Sequence, residues 1–379
     1  MRPKTVTVFS NYLVLHQAPF CEAMARLLGD GFTFVATEPI EAERLAMGYE
    51  DLNAPYLLNA YESEEKRRKA ESLALSSDVV ITGSAPESFV RERIRKNLLT
   101  FRYAERFFKQ GRWKILFPNY LLKRYRLDVR HRNRNLYMLC ASAYTAEDCR
   151  FLGCYPKKTY RWGYFPPVRR SENPAALLDA KQPLSILWAG RMLGWKHPGD
   201  AVDVAKRLRE DGYGFTLTLI GDGPLRGALE RSIAQNGLSD CVRITGFLKP
   251  EQVRTQMERA DVFLFTSDRN EGWGAVLNEA MNAGCAVAAN RAIGSVPYLL
   301  RDGENGLIYD REKPDDLYRC VQRILDDPAK KRDLQRDAYR TVTELWNGDV
   351  AAERFLRLCE CLTEGRPVEY TDGPCSPDF

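Results

Sequence analysis

Short apolar runs of strand length alternate with helix-period stretches along this chain, in two series separated by a polar break. The first series comprises residues 5–10 (TVTVFS), 32–37 (FTFVAT), 79–83 (VVITG), 114–118 (KILFP) and 137–142 (YMLCAS). The second comprises 185–190 (SILWAG), 215–221 (FTLTLIG), 242–246 (VRITG), 262–267 (VFLFTS), 286–290 (AVAAN) and 306–310 (GLIYD). Strands alternating with helices mean βαβ units, a mostly parallel sheet and helices on both faces, so each half is expected to be an α/β, Rossmann-like layer structure. After Tyr160 the segment RWGYFPPVRRSENPAA reads as a linker, with the boundary between Pro166 and Pro183. A last helix is expected from about Asp349 to Glu364, after Trp346, followed by a Pro- and Gly-rich tail, GRPVEYTDGPCSPDF, expected to be poorly ordered. The domains are thus 1–170, 171–347, a helix over 348–365 and a tail over 366–379. No internal sequence repeat is evident, so the two halves share an architecture only.

Length agrees with this division, because 379 residues exceed the roughly 250–300 at which single cores stop growing. No apolar run of about 18 residues is present to cross a bilayer, and MRPKTVTVFSNYLVLHQ lacks the apolar core of a signal peptide, so a cytoplasmic protein is expected. The ten cysteines are scattered through apolar patterns and read as buried thiols. Cys359 and Cys361 have no second pair to complete a zinc site, the three histidines form no HExxH, and no Asp-x-Asp occurs, so no metal site is expected. The net charge of +5 is modest, but cations crowd the stretch from Arg91 to Arg134 against only Glu92, Glu105 and Asp128. Such a block attracts an anionic membrane surface or a phosphorylated acceptor. Its bland alternative is a solvated helix face, since Arg91 to Lys96 alternates charge. No nucleic-acid module is visible there, and no nucleic-acid partner is expected.

Ligands of open parallel sheets bind outside the carboxyl ends of the strands. In the second half the unusual residues come directly after the strands: Gly190, Arg191 and Lys196 in GRMLGWKHP, the turn Gly221-Asp222-Gly223, then Phe247, Leu248 and Lys249. The loop DRNEGWG and the helix AVLNEAMNAG come after the fourth run. Arg191 and Lys196 suit a diphosphate, the guanidinium by a forked contact and the ammonium as a point charge. Gly272 and Gly274 let backbone approach a ligand, and the helix opening near Ala275 offers N–H groups to oxygens. Glu271 stands in the loop, placed for sugar hydroxyls; Glu279, one turn into the helix, leans back toward the same mouth, where a carboxylate can take two hydroxyls of a ribose.

With these pieces in this order, the second half resembles the GT-B glycosyltransferases of the large retaining glycosyltransferase family 4 (group 1), of the bacterial surface polysaccharide type. The resemblance is carried by Gly190-Arg191…Lys196, GDGP, the GF turn, Glu271-x7-Glu279, a glycine-serine-Val-Pro turn and NGLIYD, over roughly residues 185–350. It implies two Rossmann-like domains facing across a cleft, with the C-terminal helix crossing back to the first domain. It implies a metal-independent hexosyltransferase that takes a sugar from a nucleotide-sugar, a UDP-sugar above others, to a glycan or lipid-linked acceptor. Arg191 and Lys196 become the diphosphate clamp, Glu271 the sugar contact, and Glu279 the ribose contact. Gly272, Trp273, Gly274 and Ala275 become backbone donors, and Phe247–Leu248 faces the base. In place of a glycine-rich first loop this chain has FSNYLVLHQAPF, where His16 is the candidate for orienting the acceptor hydroxyl; Ser84 and Glu87 are weaker candidates. An epimerase or phosphorylase on the same architecture, or a non-catalytic transferase partner, are the competing readings. The basic stretch 91–134 is expected to face a membrane-associated acceptor.

Overall fold

The structure, a computed structural model, describes residues 2–41, 52–182 and 184–379. It divides into two compact units, one formed by the chain up to Pro167 together with Trp346–Phe379, the other by Val168–Leu345. Among the described residues no helix is long and apolar enough to cross a membrane.

The first unit is built on seven parallel strands: β1 (Val6–Ser10), β2 (Phe32–Ala36), β3 (Leu57–Asn59), β4 (Val79–Thr82), β5 (Thr100–Ala104), β6 (Leu136–Cys140) and β7 (Thr159–Arg161), ordered β3-β2-β1-β4-β5-β6-β7. The second has six: β8 (Ser185–Ala189), β9 (Thr216–Ile220), β10 (Val242–Gly246), β11 (Val262–Phe265), β12 (Ala286–Asn290) and β13 (Leu307–Tyr309), ordered β10-β9-β8-β11-β12-β13, again all parallel. β1, β8, β11 and β12 are buried at every position. Helices cover both faces of such strands, which is why they read as unbroken apolar runs instead of alternating ones. In each sheet the strand order reverses beside the first strand, between β1 and β4 and between β8 and β11. These are the switch points where loops diverge and leave a crevice.

Three strands were not expected from the pattern, and one expected strand is absent. Residues 114–118 (KILFP) form no strand; Arg112–Leu116 is a 3-10 turn, and Leu116 is 77% exposed. The sheet position belongs to β5, TFRYA, whose central Arg102 hides it from a hydropathy reading. That arginine is tolerated inside because Glu87 takes both hydrogen bonds from one of its terminal nitrogens, at 2.8 and 2.9 Å, and Asp128 lies 3.7 Å away. The short β3 and β7 were missed for want of length. The predicted linker contains a helix, Pro174–Asp179, capped by the Asn173 side chain accepting from Ala176 N at 3.1 Å; Pro183, its far end, lies outside the described residues.

The C-terminal helix forms where it was expected, and the tail after it is organised, against expectation. The helix Gly348–Glu364 starts on an Asn347 cap, which accepts from Val350 N at 3.0 Å, and ends at Gly365 with φ +65°. It packs on the helix Ala18–Leu28, with the Phe355 ring 6.2 Å from that of Phe20. The tail beyond it lies along β7: Pro377 bridges Tyr160 antiparallel, Arg161 N donates to Ser376 O (2.9 Å), and Asp378 N donates to Thr159 O (3.0 Å). Cys375 and Ser376 are fully buried. Backbone pairing with a sheet edge is what orders a segment whose composition suggested otherwise. All ten cysteines are free, and all but Cys241 are buried.

The close helix pairing sets a prediction. A Cβ on Gly348 would lie 2.6 Å from the backbone carbon of Pro19, so Gly348→Ala must push two backbones apart. It is expected to cost about 1–3 kcal/mol in urea denaturation, as overpacking does; an unchanged midpoint would mean that this contact is looser than described.

Candidate active site in the second unit

The crevice between β8 and β11 is lined by the loops at the ends of those strands. After β8 the chain runs through Gly190-Arg191-Met192 to a 3-10 turn, Gly194–Lys196, and His197 in the left-handed region with φ +48°. The turn after β9 locks this loop in place. Gly190 N donates to Ile220 O (3.0 Å) and Met192 N to Asp222 O (2.8 Å), while a Cβ on Gly221 would fall 2.0 Å from Gly190 O. Only glycine permits so close a backbone approach at φ +128°.

On the other side, β11 ends at Phe265, two residues earlier than the apolar run suggested, and Thr266 and Ser267 are buried polar groups of the site. Thr266 Oγ1 accepts from the Trp188 indole (2.8 Å) and donates to Lys196 O (2.7 Å), tying the two loops together. Across this tie Lys196 Nζ meets Glu271 Oε2 at 2.6 Å, and Ser267 Oγ donates to the same oxygen at 2.9 Å. Both side chains of the ion pair are little exposed, 15% and 12%. Breaking such a pair on one side leaves an uncompensated charge, at a cost of about 3–5 kcal/mol. A second pair, His197 Nε2 with Asp268 Oδ2 at 3.2 Å, braces the same loops. Thr266, Ser267, His197 and Asp268 were not singled out in the sequence; the only signal was polar residues directly after a strand.

Gly274 has φ +83°, and a Cβ there would meet the Phe265 ring at 2.3 Å, so the loop turns into the next helix against an aromatic wall. Ala275 is the cap and Val276–Asn282 the helix. At seven residues it is too short for a strong macrodipole. Trp273, expected among the backbone donors, also has a packing role: its side chain is fully buried and its indole donates to Asn278 Oδ1 at 2.9 Å.

Glu279 contrasts with Glu271. It is partly buried, and among the described residues no hydrogen bond reaches its carboxylate. Burial pushes its pKa from 4.5 up to about 7, against a smaller opposing pull from Arg254. Arg191 is exposed and makes no ion pair among the described residues. Phe247, at the end of β10 beside Gly246, is 60% exposed, with Leu248 half-buried.

The remaining candidates lie in the first unit. His16 comes after β1; its ring stacks on Tyr164 at 4.1 Å and lines a small cavity with Phe20, Tyr103 and Trp162. Ser84 and Glu87 line a larger cavity of about 600 Å³ beyond the ends of β4 and β5. The basic stretch is not one surface. Arg93 is fully buried and donates to the carbonyls of Ala74, Ser77, Asp78 and Leu99, so the alternation from Arg91 to Lys96 does not mark a wholly solvated face.

Residues 169–341 match the family described as Glycosyl transferases group 1. The second unit is a group 1 glycosyl transferase domain. Among curated proteins, the chain is 36% identical over 136 residues to a 2-deoxystreptamine glucosyltransferase of Streptomyces kanamyceticus, covering 36% of this chain and 34% of that protein. It is 34% identical over 186 residues to an amylovoran biosynthesis glycosyltransferase of Erwinia amylovora, covering 48% and 46%. The matches thus span about a third to a half of these relatives' own lengths. Among solved structures, the Anabaena protein HepE in complex with UDP superposes with a TM-score of 0.67 at 14% identity, over 95% of this chain and 100% of that one. With two Rossmann-like parallel sheets, the group 1 domain and its companion unit have the GT-B fold.

The raised pKa of Glu279 fixes a sign. The folded state holds its proton up to about pH 7 and the unfolded chain releases it near 4.5, so ionising Glu279 weakens the fold as pH rises between these values. Glu279→Gln is therefore expected to gain stability over the parent by roughly 3 kcal/mol above pH 7, with the difference shrinking toward pH 4.5. Urea denaturation at several pH values checks this; a difference independent of pH would contradict the burial of the carboxylate.

Proposed function

We propose that this chain is a metal-independent, retaining glycosyltransferase that moves a sugar from a UDP-sugar to a hydroxyl of a glycan or lipid-linked acceptor in cell-surface polysaccharide synthesis. The observation that carries it is the pairing of two carboxylates of opposite character at one switch point. Glu271 is neutralised by Lys196, and Glu279 lies one turn into the next helix with no protein donor among the described residues. In this reading Glu279 takes the ribose hydroxyls, which supply the donors the protein does not. Glu271 takes hydroxyls of the transferred sugar while Lys196 turns its remaining protons to the diphosphate. Arg191 adds a forked contact from its exposed position. A Cβ on Gly190 would stand 3.2 Å from Lys196 Cδ, so a side chain there would press on the lysine. Phe247 and Leu248 stand where a base would lie.

The bond from the anomeric carbon to the phosphate oxygen breaks as the bond to the acceptor oxygen forms on the same face, and the acceptor proton passes to the departing phosphate. Arg191 and Lys196 stabilise the charge that develops there, a transition-state role. His16 is the candidate for orienting the acceptor hydroxyl. Retention rests on the family resemblance. The UDP held by the Anabaena structure and the polysaccharide named for the Erwinia relative support the donor and the pathway class. Absence of a metal requirement rests on the cations and on the missing Asp-x-Asp.

Thermal-shift titration with UDP, GDP and ADP, with and without Mg²⁺, tests the donor; UDP is expected to stabilise without the metal. Glu271→Ala should abolish UDP release from UDP-glucose while UDP affinity stays within about threefold, whereas Glu279→Ala should weaken UDP binding about tenfold or more, the loss of a charged hydrogen-bond acceptor. Equal losses of affinity in both variants would overturn the division of roles. Conversion of the donor sugar without any acceptor would instead indicate an epimerase.

A further inference from the structure

The stretch between Glu105 and Asp128 contains no carboxylate and seven cations, Arg106, Lys109, Arg112, Lys114, Lys123, Arg124 and Arg126. It also holds six of the twelve large apolar side chains that stand exposed among the described residues: Trp113, Leu116, Phe117, Leu121, Leu122 and Tyr125. Three of these lie on the helix Pro118–Leu127. Its inward side is anchored: the Tyr120 hydroxyl donates to Phe107 O at 2.9 Å, and the Arg124 guanidinium stacks on the Phe107 ring at 4.5 Å while pairing with Asp128 at 3.1 Å. At 100° per residue, Leu121, Tyr125, Pro118 and Leu122 share one arc, Arg126 stands on its flank, and Lys123 lies further round beyond Arg126. Among the described residues no carboxylate pairs with Lys114, Lys123 or Arg126. Trp113 and Phe117 are in edge contact, with ring centroids 5.5 Å apart, and extend the apolar arc at the helix entry.

An apolar arc with an aromatic entry and a one-signed flank is complementary to a single kind of surface. Leucines and aromatic rings partition into the headgroup and acyl boundary of a bilayer, and lysine and arginine beside them are drawn by anionic lipid. An acidic protein would match the charge but leaves Leu116, 77% exposed, without a reason. We infer that residues 112–126 are a docking surface for an anionic lipid bilayer. This deepens the reading of a lipid-linked acceptor, on which its biological purpose rests, and it replaces the whole basic stretch 91–134 by one element. The same helix walls the 600 Å³ cavity of the first unit through Leu122, Lys123, Arg126 and Leu127, so docking would bring that cavity to the lipid headgroups.

Flotation of the full chain with vesicles tests this. It is expected to float with vesicles of phosphatidylcholine containing phosphatidylglycerol, less so at high salt, and not with phosphatidylcholine alone. The variant Lys114→Ser/Lys123→Ser/Arg126→Ser should lose at least about tenfold in bound fraction. The variant Leu116→Ser/Phe117→Ser/Leu121→Ser should lose both flotation and the blue shift of Trp113 emission that the parent shows on binding; Trp113 is 52% exposed, and Trp113→Leu identifies its signal. Unchanged thermal melts of the variants exclude misfolding. The inference is overturned if the parent does not float, if either triple variant floats like the parent, or if sedimentation shows a dimer that the apolar variant dissolves. Flotation involves no sugar transfer: its failure leaves the glycosyltransferase reading standing, and lack of transfer in a protein that floats counts against that reading alone.

Discussion

A parallel strand covered by helices on both faces has no place for a charged side chain that is not paired, except beyond its end, and this constraint positions the candidate site of the chain. β8 and β11 are buried at every position. Lys196, Thr266, Ser267, Glu271 and Glu279 therefore all sit in the loops and the short helix after those two strands, at the point where the order β10-β9-β8-β11-β12-β13 reverses. The glycines of the neighbouring turns serve the same constraint, since Gly221 and Gly274 let loops close against backbone and ring where any side chain would collide.

Within that edge, environment separates chemically identical groups. Glu271 shares its charge with Lys196 and a serine hydroxyl, whereas Glu279 is partly buried, has no protein donor among the described residues, and holds its proton above the ordinary carboxylate range. A paired carboxylate is fixed in position; an unpaired one gains by accepting hydroxyls from outside, because its desolvation is otherwise uncompensated. The same contrast divides the basic residues of the first unit. Arg93 and Arg102 are consumed by carbonyls and carboxylates that hold the sheet and its flanking helix together, while Lys114, Lys123 and Arg126 remain on the surface beside apolar side chains.

Apart from the short β3 and β7, the elements that were hard to read in the sequence share one physical cause, which is dependence on partners far along the chain. TFRYA is a strand because Glu87 and Asp128 neutralise Arg102, and KILFP, the more apolar run, is surface because the sheet position was already taken. The tail looked unstructured from its prolines and glycines, yet pairing with β7 orders it. Thr266 and Ser267 looked like the end of a strand and prove to be the tie between two loops.

By itself the sequence determined the two α/β series and the edge on which Arg191, Lys196, Glu271 and Glu279 must lie. Any strand of a parallel sheet delivers its succeeding loop to the same edge, whatever the strand order. Tertiary structure alone decided which residues meet there. Lys196 and Glu271 are 75 positions apart and touch only because β8 and β11 are neighbours, a matter of strand order that periodicity does not encode. It also decided which cations are structural and which face outward, since a charge is buried only where distant segments supply its partners.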